Sequence, residues 1–112
     1  MPFAFDAHRL TVALQAHGYA VNGAAEGAPN VVHGRRRDGA EIWIDAGGRL
    51  RYQTCRRTQA GQTRRVSQDG MDYRVLSEPY ALITITVELG ATAQLADALA
   101  ALDDLAYDAQ AS

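Results

Sequence analysis

The chain has 112 residues, 47% of them hydrophobic and 21% charged, with a formal net charge of −2. That composition supplies one apolar core and excludes a charge-driven disordered chain. The longest apolar run, residues 81–87, is broken by Thr84 and Thr86 and falls far short of the roughly 20 residues of a membrane helix.

The single cysteine, Cys55, excludes an internal disulfide and a zinc cluster built on cysteines. Residues 1–6 carry neither the basic start nor the long apolar stretch of a secretory signal. A single cytoplasmic domain over residues 1–112 is therefore expected.

In chain order, the first element is a helix. Asp6 is a good N-cap, Ala7, Leu10, Ala13, Leu14 and His17 follow helical spacing, and Gly18 stands where a glycine stops a helix. A helix over about 6–17 follows, then a short strand at 19–21. Asn22-Gly23, Gly27 and Pro29 mark residues 22–29 as a loop.

Strand patterning begins at Val31. Asp38-Gly39 reads as a two-residue hairpin turn between strands at 31–37 and 40–45. That register sets Arg36 opposite Glu41 and Gly34 opposite Trp43. A three-residue loop, Ala46-Gly47-Gly48, leads to a strand at 49–57. It pairs Asp45 with Arg49, Ile44 with Leu50, Trp43 with Arg51 and Ile42 with Tyr52, all compatible neighbours. Residues 59–62 read as a turn. Strands at 63–67 and 71–76 flank Asp69-Gly70 in an open register. Ser77-Glu78-Pro79 breaks the chain. The strand at 80–89, with Ile83, Ile85 and Val87 on one side, suits a central place in the sheet.

Thr92 is the candidate cap of a closing helix whose stripe is Leu95, Ala98, Leu99, Leu102, Leu105 and Ala106. The expected fold is α+β. An N-terminal helix, an antiparallel meander of about five strands and a C-terminal helix follow one another, with both helices on one face of the sheet.

All eleven basic residues are arginine. A GC-rich genome produces that bias, and so does selection for a planar, bidentate guanidinium. Residues 35–74 hold ten arginines and five acids, a net +5. Residues 75–112 hold six acids and no base, a net −6. Such a two-sided charge distribution orients a charged partner.

The sheet face opposite the expected core carries Trp43 among Arg36, Arg49, Arg51 and Arg57, and these five are the candidate binding residues. Arginine and tryptophan are enriched at protein hot spots, so the leading expectation is a non-enzymatic adaptor or regulatory module that binds another protein or itself. The same residues could hold phosphates and stack a base, which makes single-stranded nucleic acid the alternative partner. The acidic overall charge, with a pI near 5.8, argues against it.

A Cys55-dependent enzyme is the remote alternative: the thiol lies on the Arg-rich face two residues from Arg57, whose guanidinium would stabilise a thiolate, although a lone mid-strand cysteine is more often structural. His8, His17 and His33 lack the spacing of a helical metal site. No cofactor, metal or catalytic set is assigned.

Gly18-Tyr19, Val32-His33-Gly34, Ala40-Glu41-Ile42-Trp43-Ile44 and Asp72-Tyr73 follow one another over about 10–76. That order of features resembles a family of small uncharacterised proteins of plastids and cyanobacteria. That family has no settled activity, so the resemblance implies an α+β layout and no function.

Overall fold

The computed structural model describes residues 2–21, 30–55, 62–78 and 82–111. The loop expected at 22–29, Arg57 and residues 59–61 of the turn expected at 59–62 lie outside this set, and Gln62, placed in that turn, opens a strand instead. Helix α1 (Ala7–Ala16) starts at Asp6, whose carboxylate accepts the Arg9 N–H at 3.2 Å. Gly18 ends it at φ +89°, a backbone state that favours glycine, and the Tyr19 N–H returns to the Leu14 carbonyl.

Among the described residues, seven strands follow: β1 (Ala20–Val21), β2 (Val31–Arg35), β3 (Glu41–Asp45), β4 (Arg49–Cys55), β5 (Gln62–Gln68), β6 (Met71–Ser77) and β7 (Leu82–Glu88). Helix α2 (Gln94–Ala111) closes the chain. The strands form one antiparallel sheet in the order β1-β2-β3-β4-β7-β6-β5. This corrects the five-strand meander. The chain steps from β4 to the far edge, returns through β6, and fills the gap with β7. The reason is visible in β7 itself: Ile83, Ile85 and Val87 are buried, and a β-branched, apolar strand is best placed with partners on both sides.

A second correction concerns the β2–β3 register. Arg36 N–H donates to the Ala40 carbonyl and Gly39 N–H to the Arg36 carbonyl, so Arg37, Asp38 and Gly39 form a three-residue loop. Gly39 takes φ +92° while Asp38 does not leave the ordinary region. The pairs become His33↔Trp43, Gly34↔Ile42 and Arg35↔Glu41, one residue away from the two-residue reading.

Burial decides the step. This register puts Val32 on the inner face beside Ile42 and Ile44, and puts Gly34 under Tyr19, where an added Cβ would meet the Tyr19 Cβ at 3.0 Å. At Asp69-Gly70 the same dipeptide does make a two-residue turn. Both residues there have positive φ, and Gln68 pairs with Met71.

Leu10 and Leu14 of α1 join one apolar cluster with Leu95, Ala98, Leu99, Leu102, Leu105 and Ala106 of α2 and with the buried alternate positions of the strands. Thr92 does not cap α2 through its side chain as expected. Its hydroxyl accepts the Ala4 N–H at 3.0 Å, and Gln94 Oε1 reaches back to the Gly90 and Ala91 N–H groups instead. Among the described residues, no helix is long and apolar enough to cross a membrane.

Tyr19, Tyr52 and Tyr73 are all buried, and burial pushes each phenol above its ordinary 10. The folded chain keeps these protons while the unfolded chain releases them near pH 10. Their stabilising contribution is therefore complete below about pH 10 and is lost as the pH climbs beyond it. In an alkaline titration, the tyrosinate absorbance of these three should rise together with loss of the circular-dichroism signal. Among the described residues, the buried Tyr73 hydroxyl finds no hydrogen-bond partner. Tyr73→Phe should therefore leave stability at neutral pH equal or higher, and should reduce the alkaline loss.

Candidate functional site

The β3–β4 hairpin positions the site. Asp45 Oδ1 accepts the N–H groups of Gly47 (2.9 Å) and Arg49 (3.0 Å), and Gly48 turns the chain at φ +85°. The loop is three residues long, as expected, and sets Trp43 opposite Arg51. Since β2 lies on the other side of β3, Trp43 has a cross-strand neighbour on each flank.

The His33 ring stacks on Trp43 with centroids 4.9 Å apart and planes 8° from parallel. The Arg51 guanidinium lies over the indole at 4.4 Å. Such contacts contribute about 0.5–1.5 kcal/mol for the rings and about 0.5–1 kcal/mol for the exposed cation. His33 is held at its other end by Glu41, with Nε2 donating to Oε2 at 2.7 Å, and Arg35 Nη2 donates to Oε1 of the same carboxylate at 3.3 Å.

The strand registers extend this stack into a row across six strands. From β2 to β5 it reads His33, Trp43, Arg51, Thr86, Arg74, Arg65. No carboxylate stands in it. Among the described residues, Arg51, Arg65 and Arg74 make no ion pair. Arg65 and Arg74 are direct cross-strand partners, a like-charge pairing that disfavours the sheet.

Four of the five sequence-predicted residues can be placed. Trp43 and Arg51 meet. Arg49 shares their face but turns to Glu88 at 3.2 Å in a pair exposed on both sides, which contributes little to stability. Arg36 does not belong to this face, because the one-residue register step carries it to the core side. Its side chain is 14% exposed and lies over the Tyr19 and Tyr52 rings.

There Arg36 donates from Nη1 to Asp103 at 2.9 Å and from Nη2 to Asp38 at 2.8 Å. The Tyr52 hydroxyl donates to the other Asp103 oxygen at 3.2 Å. Burial pulls the Arg36 pKa down, but the bonds to Asp103 and Asp38 outweigh it and raise it above the usual arginine value. The group is a fixed cation tying the β2–β3 turn to α2. Arg57 is the fifth residue, outside the described set.

Cys55 is exposed at the end of β4 opposite Leu82, and among the described residues no histidine or carboxylate is hydrogen-bonded to it. No group of three metal-binding side chains is found among the described residues. Comparison with protein-family models, with curated proteins and with solved structures finds no match for this chain, and so does not bear on the resemblance of residues 10–76.

Sequence reasoning missed His33, Arg65, Arg74 and Asp103. The signal for His33 was the alternation of Val32 and Gly34 against Ile42 and Ile44, which outranks the turn dipeptide. Asp103 carries no local signal, because its partners Arg36 and Tyr52 lie on distant strands.

The two arginines facing opposite sides should behave differently on truncation. Arg36→Ala strands Asp103 and opens the contact over two tyrosines, and should cost about 1–3 kcal/mol in chemical denaturation. Arg51→Ala removes one exposed cation–π contact and should cost no more than about 1 kcal/mol.

Proposed function

We propose that both helices cover one face of the sheet and that the opposite face, centred on Trp43, binds another protein. The chain then acts as a non-enzymatic adaptor or regulatory module. The observation that carries this reading is the row through Trp43: an indole braced by His33 and Arg51, continued by arginines that make no ion pair among the described residues. Tryptophan and arginine are the residue types that most often carry binding energy at protein interfaces.

The partner that fits is a protein with an acidic surface. A second copy of the chain is one such surface, since residues 75–112 carry a net −6. Part of the charge asymmetry is already used within the chain, because Arg36 binds Asp103 and Arg49 binds Glu88.

The same stack counts against the nucleic-acid alternative. A base needs a free indole face, and His33 and Arg51 approach Trp43 from the strands on either side of it.

Sizing of the pure protein and affinity capture should both be run on wild type, Trp43→Ala and Arg51→Glu. Self-association or capture of a defined partner should fall about tenfold or more in each variant and weaken with salt. Equal association in all three proteins would contradict the proposal. Trp43 fluorescence should stay flat on titration with single-stranded oligonucleotides at low salt, and quenching there would favour the alternative.

A further inference from the structure

The sheet is split at one end. The β6–β7 ladder stops at Arg74↔Thr86. Beyond it, β5 and β6 stay paired as far as Gln68↔Met71, and β4 and β7 as far as Arg49↔Glu88. Met71–Tyr73 of one strand and Val87–Glu88 of the other are thus bonded on their outer sides only. A cavity of about 710 Å³ opens at this split, with Arg49, Arg65, Arg74, Thr86 and Tyr73 in its wall and Gln94, the first residue of α2, beside them. That volume is typical of a small-molecule site.

The charges in the wall are not balanced. Glu88 is taken by Arg49, and Asp72 accepts the Ser67 hydroxyl at 2.6 Å. Arg65 and Arg74 are exposed cross-strand partners and, among the described residues, make no ion pair. Two like charges side by side on the wall of a cavity amount to a local conflict that an anion resolves. One guanidinium fork satisfies a carboxylate, whereas two facing forks match the several oxygens of a phosphoryl group.

We infer that the split between β6 and β7 is a binding site for a small phosphate-bearing molecule, its phosphoryl group held between Arg65 and Arg74. The site shares Arg65 and Arg74 with the row proposed to bind a protein, but it does not use the Trp43 stack, and its test with free phosphate reads out independently of the Trp43→Ala comparison. Thr86 lies next to Arg74 in the row and offers a hydroxyl to the same group.

Isothermal titration and thermal unfolding with inorganic phosphate and with glycerol phosphate provide the test, using sodium chloride and sodium acetate at matched ionic strength as references. Both phosphates should bind and raise the unfolding midpoint above both references. Arg65→Gln and Arg74→Gln should each weaken binding about tenfold or more, while Arg9→Gln, on the exposed side of α1, should not. Without phosphate, the two Gln variants should be as stable as wild type or more so, because the like-charge pair is gone. A lost response therefore cannot be a lost fold. Phosphate that does no more than chloride or acetate, or a response that survives in both Gln variants, would overturn the inference.

Discussion

Between β2 and β3, the Arg36 N–H donates to the Ala40 carbonyl at 2.8 Å, so three residues and not two turn the chain. The facing of every residue of β2 and its turn follows from that bond. It places Val32 and Gly34 inward and His33 outward, and it directs Arg36 beneath the sheet and Arg35 above it. A shift of one residue would exchange all four, because side chains alternate along a strand. It would set His33 and Arg35 against Ile42 and Ile44 and leave Val32 in water. Burying an unpaired guanidinium costs several kcal/mol, far more than the turn type is worth.

The inward arginine then ties three elements together. Arg36 reaches Asp103 on α2 and Asp38 in its own turn, over the rings of Tyr19 and Tyr52. An acid in the middle of the closing helix thus has a partner sixty-seven positions away in the chain. The outward set makes a different kind of surface. His33, Trp43 and Arg51 brace one another, and beyond Thr86 come Arg74 of β6 and Arg65 of β5, which make no ion pair among the described residues. The basic middle of the sequence is therefore divided between an internal anchor and an external row.

Much of the fold could be read from residue order. Asp6 and Gly18 bound α1, the Ala46–Gly48 loop fixes β3 against β4, and the β-branched run of β7 lies inside the sheet. What escaped was non-local. Asp38-Gly39 and Asp69-Gly70 are the same dipeptide, yet one sits in a three-residue loop and the other forms a two-residue turn, because the flanking residues must reach the core in phase. The insertion of β7 between β4 and β6 leaves no trace in spacing either. Of the candidate site, the Trp43–Arg51 contact was legible because it depends on one local hairpin. His33, Arg65 and Arg74 depend on the register of other strand pairs, and Asp103 on the docking of a helix.

The assignment of side chains to faces is tested most directly by proton NMR of the Trp43 indole. The structure predicts nuclear Overhauser contacts from the indole to the His33 ring on one side and to the Arg51 side chain on the other, with His33 ring protons shifted upfield by the stacked indole. Contacts from the indole to the Gly34 α-protons as its direct cross-strand neighbour, and to Arg36 in place of His33, would contradict it.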